Sequence, residues 1–115
     1  MEVRAKLKNY RVSAQKARLL ADEIRGKGVE EALTILELSN KRFAKPLAKL
    51  VRAALASATE KNENDRASID VDNLIVERIT VDQGASMWRI RPRAQGRAAW
   101  IQRRTSHVSV VLAEH

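Results

Sequence analysis

Apolar residues recur along this chain with a period of two, then with helical spacing, then with a period of two again. Val3, Ala5 and Leu7 alternate with Arg4, Lys6 and Lys8, which predicts a short strand with one basic face. Ser13 reads as a helix N-cap and Gly26 or Gly28 as the C-terminal stop. Between them Ala17, Leu20, Ala21 and Ile24 form the stripe of an amphipathic helix. A second helix starts near Val29, with Glu30 and Glu31 in the first turn, where the macrodipole favours acids. Val29, Ala32, Leu33 and Leu36 give its stripe, and Ser39-Asn40 ends it. A third, longer helix runs from about Arg42 to Lys61, with Phe43, Leu47, Leu50, Val51, Ala54 and Ala58 on one face. Pro46 fits only in or near its first turn. Its many alanines imply close approach to a neighbouring helix, and polar Asn62 to Arg66 reads as the loop out.

Ile69, Val71, Leu74, Val76, Ile79 and Val81 then predict a long strand whose apolar parity switches from odd to even and back. Each switch implies a bulge, a bend or a twist. A second β-rich run, Val108 to Leu112, follows a turn marked by Pro92 and Gly96, and the two runs read as a hairpin. About 25 residues from Ile69 to a turn near Ala94 span roughly 80 Å when extended at ~3.3 Å each. A compact domain of this size has a radius of gyration near ~13 Å, so the hairpin must project from the body. With the turn centred on Ala94, Trp88 faces Trp100 as a cross-strand pair. The alternative is that either ring stacks on an unpaired base.

Charge sharpens this picture. The 115 residues make one small domain with a net charge of +8. Residues 1–28 carry net +5, residues 29–65 net 0, residues 66–83 net −2, residues 84–107 net +6 and residues 108–115 net −1. The stretch from Gly84 to His107 holds six arginines and no acid. A projecting arm with only positive charge makes sense if it is pushed into something anionic, and arginine suits phosphate forks and base stacking. Lys16 and Arg18 lie near a helix N-terminus, where cations are disfavoured and a phosphate is welcome. The plainer reading, here and for the basic face of the first strand, is solvated charge.

The chain has no cysteine, which excludes disulfides and thiolate chemistry. No apolar run approaches the roughly 18 residues of a membrane span, and Met1 to Lys6 lacks a signal-peptide core, so the expectation is a cytoplasmic protein without a membrane partner. Ser106 and His107 are neighbours on a strand and point to opposite faces, so they make no nucleophile–base pair. Asp70 and Asp72 lack further ligands for a metal. No enzyme, cofactor or metal is expected. A DNA-binding β-arm, with Pro92 or Ile90 as a wedge, remains as a rival to an RNA-binding one.

The stretches Arg11-Val-Ser-Ala-Gln-Lys-Ala-Arg-Leu-Leu-Ala-Asp-Glu-Ile-Arg-Gly-Lys, Val29-Glu-Glu-Ala-Leu, Val81-Asp-Gln-Gly, Arg89-Ile-Arg-Pro-Arg-Ala-Gln-Gly-Arg-Ala and Arg103-Arg-Thr-Ser-His carry a resemblance. In that order and spacing the chain resembles the bacterial-type large-subunit ribosomal proteins of the L-twenty-two family over essentially its full length. The resemblance implies an α+β fold: three helices on a small three-stranded antiparallel sheet, with a long protruding β-hairpin. It implies one domain over residues 1–115, with a globular part at about 1–80 and 106–115 and an arm at about 81–105. It further implies a body near the mouth of the peptide exit tunnel and an early role in assembly. The hairpin would run through large-subunit rRNA, with its tip lining the tunnel at a constriction, opposite an extension of large-subunit ribosomal protein four. The expected partners are large-subunit rRNA, neighbouring large-subunit ribosomal proteins and the nascent polypeptide, with the chain a monomer within the ribosome. The expected rRNA-binding residues are Lys6, Lys8, Arg11, Ser13, Lys16, Arg18, Arg25, Lys27, Arg89, Arg91, Arg93, Arg97, Arg103, Arg104, Thr105 and His107. The expected tunnel-lining tip is Met87, Trp88, Arg89, Ile90, Arg91, Pro92, Arg93, Ala94, Gln95 and Gly96. Departures from the family pattern are Ala14, where proline usually follows the serine, Trp88, where a basic residue is common, Trp100, and Thr59-Glu60-Lys61 after the long helix.

Overall fold

The computed structural model describes residues 2–64, 73–92 and 94–114, with side chains described outside 62–64. Strand β1 (Glu2–Tyr10) leads into helices α1 (Ala14–Ile24), α2 (Val29–Leu38) and α3 (Ala44–Asn64). Strands β2 (Leu74–Gln83), β3 (Met87–Pro92), β4 (Ala98–Arg103) and β5 (Ser106–Glu114) follow. The body sheet has the order β1-β5-β2, all antiparallel, and β3-β4 form a separate two-stranded ribbon. This is the α+β arrangement expected, three helices on three strands with a protruding hairpin.

The helices follow their stripes. Ala17, Leu20, Ala21 and Ile24 of α1 are fully buried, as are Leu47, Val51, Ala54 and Ala58 of α3. They pack with Val108, Val110 and Leu112, the inward residues of the central strand β5. Burying one such leucine or isoleucine contributes about 1.5–3 kcal/mol. Ser13 caps α1, its Oγ accepting from the Lys16 amide at 3.4 Å. Gly26, at φ +79°, turns the chain out of α1 in a conformation that suits glycine.

The parity switch in the strand is a bulge. Between Val76 and Arg78 the pairing of β2 with β5 slips, so Leu74 and Val76 before it and Ile79 and Val81 after it all face the core. Ile69 and Val71, expected to start this strand, lie outside the described residues, as do Asp70 and Asp72. One boundary differs from the sequence reading: α3 continues through Asn64, where a loop was expected from Asn62. That stretch is polar but holds neither glycine nor proline, and polarity alone does not end a helix.

Among the described residues the outer edge of β2 has no strand beside it. Its carbonyls are satisfied by α1 and the loop that follows. Val81 O accepts from Arg18 Nε and Nη2 at 3.2 and 3.0 Å, and Ile79 O from Arg25 Nη2 at 2.8 Å. Val76 O accepts from the Gly26 amide at 2.8 Å, while the Val76 amide donates to Lys27 O at 2.9 Å. An open edge is thereby closed to other strands.

The molecule measures 65 × 27 × 16 Å with a radius of gyration of 17.4 Å. A compact chain of this length would have about 13 Å. The difference is the arm, which stands clear of the body as its length demanded.

Candidate nucleic-acid interface

The arm begins where β2 and β5 stop pairing. At this wrist the Gly84 amide donates to Thr105 O at 2.8 Å, and Thr105 Oγ1 donates to Ala85 O at 2.6 Å. Gly84 is needed for space: a Cβ there would lie 2.7 Å from Thr105 Oγ1 and 3.2 Å from His107 Nε2. Thr105 is 7% exposed and Ser106 is fully buried. Ser106 Oγ donates to Val12 O at 2.7 Å, tying the loop before α1 to the root of the arm. His107 Nδ1 accepts from the Asn9 amide at 3.1 Å, which puts the ring proton of the neutral form on Nε2. Asn9 sits at φ +56°, beside the irregularity in β1 between Leu7 and Tyr10.

These ties bring the two basic blocks of the sequence together. A cleft of about 820 Å³ is walled by the start of α1, the turn before α3 and the returning strand β4. Its lining includes Arg11, Lys16, Lys41, Arg42, Arg103 and Arg104, and no acid. Ser13 and the N-terminus of α1 face it, so the amide end of a helix adds to the positive field. Lys41 and Arg42 escaped the sequence reading because they belong to a segment of zero net charge. Only folding shows that they stand here, while Glu30 and Glu31 lie at the start of α2. Lys41 also meets Glu23 at 3.6 Å.

Lys6, Lys8 and His107 line a second, smaller cavity of about 450 Å³ with Asp82 and Ser109, on the sheet face away from the helices. Arg25 and Lys27 come to neither place. They lie at the far end of α1, in ion pairs with Asp22 and Glu31. Arg18 is exposed but shares its donors with Val81 O. Thr105 and Ser13 spend their described hydrogen bonds within the fold, one at the wrist and one as a cap.

On the arm the register is Met87↔Arg103, Trp88↔Gln102, Arg89↔Ile101, Ile90↔Trp100, Arg91↔Ala99 and Pro92↔Ala98. The turn is therefore centred on Gln95 and not Ala94, and Trp88 does not face Trp100. Pro92 is the last paired residue instead of part of the turn. Gln95 and Gly96 take left-handed φ values of 63° and 72° to bring the chain round. Among the described residues no ring contact joins the two tryptophans; the aromatic contact is Tyr10 with Phe43, at 5.5 Å between centroids. Arg89, Arg91, Ala94, Gln95, Gly96 and Arg97 are all exposed, and Arg93 lies outside the described residues.

Among the described residues no group of three His, Asp or Glu side chains could hold a metal, and no helix is long and apolar enough to cross a membrane. The arrangement is one for binding a polyanion: a cationic cleft at the body and a cationic ribbon leading away from it. Comparison with known proteins identifies the family. The family described as "Ribosomal protein L22p/L17e" matches residues 5–113. The "Large ribosomal subunit protein uL22" of Desulfotalea psychrophila is 53% identical over 115 residues, covering 100% of both chains. The protein of the same name from Bdellovibrio bacteriovorus is 51% identical over 114 residues, covering 99% of each.

Proposed function

The chain belongs to the L22p/L17e family of ribosomal proteins and is a structural component of the large ribosomal subunit, not an enzyme; from that premise we propose how it works there. It acts in the cytoplasmic ribosome, binds large-subunit rRNA, contributes to subunit assembly, and lines the nascent-peptide exit tunnel near its constriction with the tip of its arm. Its partners are rRNA, neighbouring large-subunit proteins and the growing polypeptide, and it works as a monomer within the ribosome. The observation that supports this best is the cleft where Arg11, Lys16, Lys41, Arg42, Arg103 and Arg104 converge at the root of the arm. Phosphates of a folded RNA can sit at the cleft while the arm threads onward.

The two parts have different roles. The body offers fixed cations around a helix N-terminus, a geometry that anchors phosphates. The arm carries exposed arginines on a ribbon without a core, so an RNA wall must hold it in place. The test is a binding isotherm on large-subunit rRNA across a salt series. The full chain is set beside a variant in which Asn-Gly replaces residues 88–102, a two-residue turn that joins the paired Met87 and Arg103. That variant loses Arg89, Arg91, Arg93 and Arg97. If each meets a phosphate, the log–log salt slope falls by about 3, at ~0.7–0.9 per contact. Tight binding kept by the variant assigns anchoring to the body. Its collapse makes the arm the anchor. Equal, weak binding to duplex DNA and rRNA by the full chain would overturn the proposal.

A further inference from the structure

The register of the arm sorts its side chains by chemistry. Residues paired across the ribbon share a face, and alternate residues along each strand share it too. One face carries Trp88 and Ile90 from β3 and Trp100 from β4, with Trp100 directly opposite Ile90 and Trp88 one pair further toward the body. The other carries Arg89 and Arg91 from β3 and Arg103 from β4, interleaved with Met87, Ile101 and Ala99. Trp88, Ile90 and Trp100 are 60%, 59% and 66% exposed. They line one shallow hollow together with Met87 and Arg89, so three large apolar groups lie close to one another on an element that has no core. Water leaves such a patch uncovered only at a cost, and it marks a contact.

We propose that this face is a stacking platform for unpaired RNA bases, with phosphates taken by the arginine face behind it. This rests on the rRNA-binding reading above and names the part of the RNA that the arm meets on each side. Charge selects the occupant. A protein partner that covered the tryptophans would also have to accommodate six arginines between Gly84 and His107 with no acid among them. An unstacked nucleotide supplies what both faces need: a flat π-surface for the rings and an anionic linkage for the guanidinium groups. The diagonal placement of the rings, with neither covering the other, leaves both available to bases.

Trp88 and Trp100 are the only tryptophans in the chain, so its indole fluorescence reports on the arm alone. The experiment follows emission and acrylamide quenching of the full-length protein as large-subunit rRNA is added. Affinity is measured over a salt series for the parent, W88L, W100L, W88F and W100F. Stacking predicts strong static quenching on binding and loss of acrylamide access. Each leucine variant should bind about 5- to 150-fold more weakly at an unchanged salt slope, and each phenylalanine variant should recover much of that loss. Salt-dependent binding with tryptophans as bright and accessible as in the free protein would overturn the proposal and leave the rRNA reading standing. Leucine variants that bind like the parent would also overturn it. Absence of any salt-dependent binding would bring down both. The rings lie outside the body's core, so a circular dichroism spectrum identical to the parent's is expected for every variant.

Discussion

Gly84→Ala adds one methyl group at the wrist, and its effect can be worked out from the contacts there. The new Cβ would stand 2.7 Å from Thr105 Oγ1, with His107 Nε2 and Cε1 at 3.2 and 3.3 Å behind it. An exposed threonine would turn aside. Thr105 cannot do so freely, because it is buried and its hydroxyl donates to Ala85 O at 2.6 Å. Rotation would break that bond and leave a buried polar group unpaired, which costs about 1–3 kcal/mol. Holding the rotamer and moving the backbone instead is overpacking, again about 1–3 kcal/mol. The protein takes the cheaper route, so the expected loss is about 2 kcal/mol. Urea unfolding followed by far-ultraviolet circular dichroism measures it on the body, whereas tryptophan emission would follow only the arm. Thr105→Ala removes the obstructing oxygen. The double variant should therefore be at least about 1 kcal/mol more stable than the two single losses predict when added. A Gly84→Ala protein within about 0.5 kcal/mol of the parent, together with an additive double variant, would refute the argument.

Three further changes probe other links. Ala14→Pro should stabilise by about 0.5 kcal/mol, because position N1 needs no amide acceptor and Ser13, at ψ 141°, already has the backbone that precedes proline; a lowered urea midpoint would show that the ring does not fit. Arg18→Met should cost about 1 kcal/mol in thermal unfolding by freeing Val81 O at the sheet edge. An unchanged melting temperature would mean that the arginine contributes nothing to closing that edge. Leu112→Ala, in the centre of the sheet and fully buried, should cost about 2–5 kcal/mol, and a loss under 1 kcal/mol would contradict the placement of the core.

The helices were legible because their apolar residues repeat with the helical period, and burial follows those stripes residue by residue in α1. That the strand is irregular was legible from its change of parity, but a bulge, a bend and a twist were equally open until the pairing of β2 with β5 was seen. The projection of the arm followed from length and charge, but the exit at Gly84 did not: the arm was expected to span about 81–105. The centre of the turn was not legible. Pro92 and Gly96 bracket it, but proline suits both a turn and an open ribbon edge, and only the left-handed pair Gln95-Gly96 fixes the register. The cationic cleft was half legible. Its two sequence blocks were visible, but Lys41 and Arg42 were hidden by summing charge over a neutral segment. The edge-closing work of Arg18 and Arg25 was equally hidden, since nothing in α1 says that β2 will end a sheet.

The position of β5 bears on how the chain comes to be folded. It is the last strand in sequence and the middle one in the sheet. Glu2 pairs with Ala113 and Gln83 with Ser106, so among the described residues neither β1 nor β2 has a partner strand until the closing strand exists. Pairings so distant along the chain form slowly. During synthesis the arginine arm emerges before the strand that completes the body. For that interval the chain presents bare strand edges and a strong positive field together, the condition that favours non-specific association. Once β5 docks, the edges close and the wrist sets the arm's direction.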